Sequence, residues 1–151
     1  MENKMKLEIL ALSENESFAR STVAAFALPL NPSLSVLSDI KTAVSEGVTN
    51  AIVHAYKGSA LPIEERKILI ETTIFEREKE KGIHITITDY GKGIEDVSRA
   101  IAPFYTTLEG EERSGMGFTV MQAFMTKMQV ESVVDKGTKV TLEKLIDEDE
   151  K

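Results

Sequence analysis

The residues best suited to chemistry lie in two groups that are far apart in the chain. Glu46, Asn50 and His54 repeat at four-residue spacing, so on a helix they form one polar stripe. Asp89 ends a run of alternating isoleucines and is followed by two closely spaced glycines. A carboxylate on the inward side of a strand is costly unless something donates hydrogen bonds to it. Asp89 therefore calls for a functional explanation.

The polar stripe requires a helix, which we predict over residues 35–56. Its opposite face carries an aliphatic stripe at the same spacing, made of Ile40, Val44, Val48 and Ile52. Gly47 lies inside this helix, where it costs about 1 kcal/mol relative to alanine. Either another element approaches closely at Gly47, or the polar stripe is an ordinary solvated face.

Asp89 points inward only if the residues before it form a strand. Period-2 alternation predicts that strand over residues 83–89, with Ile83, Ile85 and Ile87 on one side. The same pattern predicts strands over residues 4–12, 67–75, 129–134 and 138–145. A charged turn is expected over residues 76–82. A first helix of about three turns is expected after a Ser13–Glu16 capping box, because Phe18, Thr22 and Phe26 recur at four-residue spacing.

Glycines mark two further segments. Gly91 and Gly93 predict a tight turn with bare backbone N–H groups directly after Asp89. Residues 95–114 show no clean period and read as a mobile loop, which inside a compact domain is usually functional. Gly115-Met116-Gly117 is predicted to open a helix over residues 118–127, where unpaired N–H groups and the helix dipole suit a phosphate.

Composition excludes several classes of protein. The chain has 151 residues, 42% hydrophobic and 28% charged, with a net charge of −7, which predicts one globular domain and disfavours direct nucleic-acid binding. Cysteine is absent, so disulfides and thiolate sites are excluded. No apolar run reaches membrane-spanning length and no signal peptide is evident, so we expect a cytoplasmic protein without membrane contact.

The motifs are weak singly but specific in combination. A Glu-x-x-x-Asn helix, an Asp-x-Gly-x-Gly turn, a lid and a Gly-x-Gly helix start, in this order, resemble the Bergerat-type ATP-binding fold of gyrase, heat-shock chaperones, MutL and histidine kinases. Within that superfamily the chain resembles the small serine kinases that act as anti-sigma factors, especially the sporulation anti-sigma F factors. The resemblance covers nearly the whole chain and is carried by residues 12–20, 44–54 and 112–121.

This resemblance implies a set of functional residues. Glu46 would orient or deprotonate a substrate serine, and Asn50 would hold Mg²⁺. Asp89 would accept from the adenine amino group, and Thr138 would hold adenine through its hydroxyl. The full ATP site would comprise Asn50, Asp89, Gly91, Gly93, Ile94, Thr106, Arg113, Ser114, Gly115, Met116, Gly117 and Thr138.

The resemblance also implies partners. Such proteins bind their sigma factor (here sigma F) with ATP, phosphorylate a serine of an anti-anti-sigma factor, and work as homodimers. Arg20 is either a sigma-contact residue or a solvated surface charge, and Arg113 is either a phosphate clamp or a solvated lid charge. Tyr90 and Leu108 stand where the family often has Glu and Lys, so a lysine–phosphate contact from the lid is in doubt.

Two alternative functions stay open at this point. The chain is either of the sporulation type or of the related general-stress type that regulates sigma B by the same chemistry. It is also either a kinase or a binding module that uses ATP only to set its conformation. The expected fold is a two-layer α/β sandwich over residues 1–146, with a mixed, mostly antiparallel sheet of four or five strands, three helices on one face, and a charged tail over residues 147–151.

Overall fold

The computed structural model describes residues 1–102 and 112–147, and for residues 112–116 it describes the backbone. The described strands are β1 (Glu2–Leu10), β2 (Lys67–Arg77), β3 (Glu80–Asp89), β4 (Lys127–Val133) and β5 (Gly137–Leu145). The described α-helices are α1 (Glu14–Ala27), α2 (Leu34–Asn50), α3 (Val97–Ala100) and α4 (Glu112–Phe124).

The strands form one five-stranded sheet in the order β1-β2-β3-β5-β4. Each of its four neighbouring pairs is antiparallel. The inward side chains of the sheet join residues of α1, α2 and α4 in a single hydrophobic core. The predicted two-layer sandwich with helices on one face is therefore confirmed.

The central strands alternate as their sequence predicts. The inward side chains of β3 are at most 2% exposed, and they pair with the buried face of β2; they are Ile83, Ile85 and Ile87. Burial of such side chains contributes about 1.5–3 kcal/mol each. Asp89 continues this inward row at the end of β3, so the core delivers its carboxylate to the inner face of the sheet.

Helix α2 lies with its aliphatic stripe in the core, as predicted. Ser33 caps its first turn, because the Ser33 side chain accepts a hydrogen bond from the Val36 N–H at 3.1 Å. Gly47 faces β3, and a Cβ atom at this position would lie 2.5 Å from Ile87 Cδ1. The close approach expected at Gly47 is therefore made by the sheet. After Asn50 the helix widens into a π-helical turn, Ala51–Ala55.

The predicted helix α1 forms, and its buried face lies one position away from the stripe of Phe18, Thr22 and Phe26. The residues in the core are Ala19, Val23 and Ala27, whereas Phe18 is 55% exposed. Small side chains let α1 lie close to α2, and the larger side chains then fall beside the contact. The capping box also does not form, because the Ser13 side chain makes no capping bond and the Glu16 carboxylate accepts from Ser45 Oγ at 2.6 Å.

Two connections differ from their predictions. The β2–β3 turn is shorter than the expected charged turn over residues 76–82, because both strands extend into it and Lys81 is buried, donating from Nζ to the Leu30 carbonyl at 2.8 Å. The predicted irregular loop after Gly93 contains the short helix α3. Asp96 caps α3 by accepting from the Arg99 N–H at 3.1 Å, which explains its start.

Candidate functional site

A cavity of about 360 Å³ lies where α2, the end of β3 and α4 converge. It brings together the polar stripe of α2 and the turn after Asp89, which the sequence separates widely. Its lining residues are Gly47, Asn50, Ala51, His54, Ala55, Lys57, Ile87, Asp89, Lys92, Gly93, Ile94, Ala100, Phe118, Thr138 and Val140. The walls are mainly apolar with a few convergent polar groups, which is typical of a small-molecule site.

The Asp89 carboxylate lies at the end of this cavity that β3 forms and is 8% exposed. Its Oδ1 atom accepts hydrogen bonds from the backbone N–H groups of Gly91, at 3.0 Å, and Thr138, at 3.2 Å. Burial raises the pKa of Asp89, and the two N–H donors lower it again in part. Both donors use Oδ1, so these bonds leave Oδ2 to accept from a ligand.

Strand register places two hydroxyl groups beside Asp89. Thr138 on β5 is paired with Asp89 on one side and with Ser132 of β4 on the other. The Thr138 and Ser132 hydroxyl oxygens lie 2.8 Å apart. A row of three polar side chains therefore crosses the inner face at this end of the sheet.

The glycines after Asp89 are required by packing within the protein. A Cβ atom at Gly91 would lie 2.2 Å from the Ala55 carbonyl oxygen, and one at Gly93 would lie 2.4 Å from the Val133 carbonyl oxygen. Gly93 also has a φ of +77°, which favours glycine. The turn is thus wedged between the π-helical turn and the β4–β5 hairpin, and its Lys92 N–H donates to the Ala55 carbonyl at 2.9 Å.

The Tyr56 hydroxyl links the turn after Asp89 to strand β2. Its hydroxyl accepts from the Tyr90 N–H at 2.9 Å and donates to the Lys67 carbonyl of β2. Burial raises the pKa of Tyr56, so the hydroxyl stays protonated and remains a donor across the physiological range. The backbone that follows Asp89 is therefore tied to the sheet as well as to α2.

Asn50 occupies the opposite end of the cavity and faces α4. A Cβ atom at Gly117 would lie 2.9 Å from Asn50 Oδ1, so Gly117 makes room for this side chain. Asn50 Nδ2 is buried without a hydrogen-bond partner. Such an orphaned amide is expensive, and a half-turn of the amide exchanges its oxygen and nitrogen, so the position suits either a cation or a phosphate.

Glu46 and His54, the other members of the polar stripe, differ in position. His54 lines the cavity, whereas Glu46 is not among the described residues that do so. Glu46 is half-buried and lies one helical turn before Asn50, on the same face of α2.

The predicted start of α4 is wrong. The helix begins at Glu112 and not at Gly115, so Gly117 lies in its second turn, where a helical N–H bonds within the helix. Of the predicted phosphate-binding residues, Thr106 lies outside the described residues; Arg113, Ser114, Gly115 and Met116 lie on the described backbone of α4.

Several cavity residues escaped the sequence analysis. Lys57 and Lys92 line the cavity and bring positive charge to a chain whose net charge is −7, which favours a phosphate-bearing ligand. Lys92 could have been identified from the sequence, since it stands between the two glycines of the turn. Phe118 in the cavity wall, and Tyr56 and Ser132 behind it, could not be identified from the sequence, because single aromatic or hydroxyl residues on regular elements indicate packing.

Comparison with known proteins identifies the family. The model of the histidine kinase-like ATPase domain matches residues 9–144. The chain belongs to this family. Within this family it is similar to the anti-sigma F factor of Clostridium perfringens, with 51% identity over 95% of this chain and 97% of that protein. It is also similar to the anti-sigma F factor of Caldanaerobacter subterraneus, with 49% identity over 95% of this chain and 94% of that protein.

A solved structure agrees at the level of the fold. The RsbU and RsbW domains of a Mycobacterium tuberculosis protein match with a TM-score of 0.63 and 17% identity. The match covers 95% of this chain and 32% of that chain, so this family member spans about a third of that protein. The resemblance to histidine kinase-like ATPases is thus confirmed by family, by relatives and by fold.

The site residues fit the nucleotide that such a domain takes. The buried Asp89 carboxylate suits an amino group, the apolar walls suit a purine ring, and the orphaned Asn50 amide suits Mg²⁺ or phosphate. In the described part of the chain no group of three or more His, Asp or Glu residues is arranged to hold a metal. No helix of the described ranges is long and apolar enough to span a membrane.

Proposed function

We propose that this chain is an ATP- and Mg²⁺-dependent anti-sigma factor that phosphorylates a serine on its anti-anti-sigma factor. The observation that carries the proposal is the pairing of Asp89, buried with two N–H donors, and the orphaned Asn50 amide in one cavity. One end of that cavity suits a purine amino group and the other suits a metal–phosphate group. The anti-sigma F names of relatives at about half identity support the same activity.

Each described residue has a defined task in this proposal. Asp89 accepts from the adenine amino group, Thr138 bounds the base beside it, and Asn50 holds Mg²⁺. ATP with Mg²⁺ supplies the phosphoryl group and the cation that neutralises the phosphate charge. The N–H groups at the start of α4, which begins at Glu112, have no partner within the helix and would suit a phosphate.

Glu46 is the residue on which catalysis depends. It lies one turn before Asn50, where its carboxylate can orient the substrate serine and take the hydroxyl proton. The serine oxygen bonds to the γ-phosphorus of ATP as the bond from that phosphorus to the bridging oxygen breaks, and ADP is the leaving group.

The first experiment separates binding from chemistry. Glu46→Gln keeps the shape of the side chain but cannot take a proton, so phosphorylation of an anti-anti-sigma protein from labelled ATP should fall at least about 100-fold. Binding of ATP and of sigma factor should stay within about threefold of wild type, since glutamine fills the same volume. Glu95→Gln, which changes an exposed glutamate just after the glycine turn, is the matched control.

The outcomes of this experiment discriminate between the candidate functions. Loss of ATP binding in Glu46→Gln, in step with loss of transfer, would make Glu46 a binding residue. Absence of transfer in the wild type, with ATP and sigma factor still bound, would favour the binding module that ATP only switches. The position of Glu46 outside the cavity lining is the one observation that supports this second candidate.

A groove between α1 and α2 suits a protein partner. Arg20 lies on a groove between α1 and α2 together with Leu28 and Leu34, which are 56% and 85% exposed. The Arg20 guanidinium bonds to the Glu16 carboxylate at 2.9 Å, which holds it in place on the surface. We assign Arg20 to the sigma-factor contact and expect the chain to act as a homodimer.

The choice of sigma factor follows from the relatives. Proteins named anti-sigma F factors match over nearly their whole length at about half identity, whereas the RsbW-containing structure matches at 17%. We therefore favour sigma F over sigma B as the partner. Binding assays with both purified sigma factors, each with ATP and with ADP, test this choice directly, and tighter binding of sigma B would contradict it.

A further inference from the structure

The hydroxyl of Ser132 on β4 makes three hydrogen-bond contacts, with groups on three different segments. Its hydroxyl oxygen accepts from the Ile94 N–H at 2.7 Å and lies 2.8 Å from the Thr138 hydroxyl. It also donates to the Gly137 carbonyl at 3.1 Å. One hydroxyl thus ties the end of the glycine turn, the β4–β5 hairpin and the cavity residue Thr138 together.

Counting protons gives the contact between the two hydroxyls a direction. A serine hydroxyl has one proton and two lone pairs. The proton of Ser132 goes to the Gly137 carbonyl, and one lone pair takes the Ile94 N–H. All three contacts form at once only if the remaining lone pair of Ser132 accepts, and in that arrangement the Thr138 hydroxyl is the donor between them.

The direction of this hydrogen bond decides which groups the cavity offers to a ligand. With its proton committed to Ser132, the Thr138 hydroxyl presents only lone pairs to a ligand. Asp89 beside it is also an acceptor when ionised, and its Oδ1 is already occupied by two N–H donors. This end of the cavity therefore offers acceptors and no side-chain donor among these three residues.

We propose that Ser132 is a positioning residue that sets the selectivity of the site for an amino-bearing purine over an oxo-bearing purine. The inference rests on the proposed nucleotide function. The adenine amino group has two hydrogens, which two neighbouring acceptors can share. A carbonyl at the same ring position places oxygen against the Thr138 lone pairs, with no proton between them.

The hairpin geometry holds this arrangement rigidly. Gly137 has a φ of +131°, and a Cβ atom there would lie 2.1 Å from the Asp89 carbonyl oxygen. The Asp135 N–H donates to the Lys92 carbonyl at 2.7 Å. Ser132 cannot move to another partner without shifting the turn that carries Asp89, so the direction of the hydroxyl contact is built into the fold.

The test compares two nucleotides that differ at one ring position. Dissociation constants of ATP and inosine triphosphate, each with Mg²⁺, are measured on the purified full chain. Wild type should prefer ATP. Ser132→Ala frees the Thr138 proton to meet the inosine carbonyl, so the preference should narrow about tenfold, mainly through tighter binding of inosine triphosphate. Ser132→Thr keeps a hydroxyl and should keep the preference.

The controls make a merely structural role distinguishable. Ser35→Ala, on the exposed side of α2, should leave both constants unchanged. If Ser132→Ala weakens both nucleotides by one factor, or changes neither, the inference is overturned. If Ser132→Ala does not fold, Thr138→Val must narrow the preference instead, and an unchanged preference there overturns it equally. A wild type that binds neither nucleotide contradicts the proposed function itself.

Discussion

The two ends of the cavity differ in how completely their polar atoms are paired within the protein. At the end formed by β3, β4 and β5, Asp89, Thr138 and Ser132 bond to one another or to backbone groups. At the end formed by α2 and α4, Asn50 Nδ2 is buried without a partner. The first end is prearranged, whereas the second is completed only when a ligand supplies polar groups.

The difference follows from the elements that build each end. Strand register fixes neighbouring side chains through backbone hydrogen bonds, so the end at Asp89, where we propose that the base binds (the base end), forms together with the sheet. The end at Asn50, where we propose that the phosphates bind (the phosphate end), depends on the approach of two helices, which side-chain packing controls. A preorganised base end reduces the ordering cost of binding, and an unsatisfied phosphate end makes affinity depend on the charged part of the ligand.

Asn50→Ala is the strongest way to break the phosphate end. Kinase activity should fall at least about 100-fold, because a ligand for the metal–phosphate group is removed. The unfolding midpoint should not fall, since Asn50 Nδ2 has no bond in the protein to lose. Initial rates with labelled ATP and thermal unfolding measure the two effects.

Asn15→Ala is the matched control for Asn50→Ala, because Asn15 Nδ2 donates to the Leu10 carbonyl at 3.0 Å. It should lower the free energy of unfolding by about 1 kcal/mol and leave activity near wild type. Normal kinase rates in Asn50→Ala would contradict the assignment of Asn50 to the metal–phosphate group.

Gly137→Ala tests the rigidity of the base end. A Cβ atom would lie 2.1 Å from the Asp89 carbonyl oxygen at a φ of +131°, so we expect a loss of about 3 kcal/mol in the free energy of unfolding. Gly58→Ala is the control, with a φ of +74° and no atom within 4 Å, and should cost about 1 kcal/mol. Denaturant unfolding of both variants measures the difference, and equal losses would show that the hairpin is free to shift.

The smallest expected effect is the change of stability and ATP affinity with pH as Asp89 titrates. Burial raises the pKa of Asp89 above its unfolded value, so the folded protein binds this proton more tightly. The carboxylate therefore lowers stability as pH rises from about 4 through the raised pKa, and protonation restores it. ATP affinity should change in the opposite sense, since only the ionised form accepts from the amino group without competition.

Below that raised pKa the ATP dissociation constant should rise by up to about tenfold per pH unit. Asp89→Asn cannot titrate and should flatten the dependence, while its Oδ1 keeps both N–H bonds. Calorimetric titration of ATP at a series of pH values measures both proteins, and the variant corrects for protonation of the nucleotide. Parallel curves for the two proteins would exclude Asp89 as the titrating group.

Much of the framework was predictable because its signals are local. The inward isoleucines of β3, the aliphatic stripe of α2 and the anomaly of Asp89 each follow from side-chain period along one element. The buried face of α1 was missed although its period is equally clear. Two adjacent stripes satisfy that period, and only the close contact with α2 selects alanine over phenylalanine.

The sequence by itself determined the residue types of the site and their order: a carboxylate at a strand end, two glycines after it, and a glutamate and an asparagine one helical turn apart. Only the tertiary structure decided that Ser132, Thr138 and Asp89 form one row and that Asn50 faces Gly117. The physical reason is that period along a chain is set by local backbone geometry. Register between strands and the approach of helices are set by contacts between segments that the sequence does not pair.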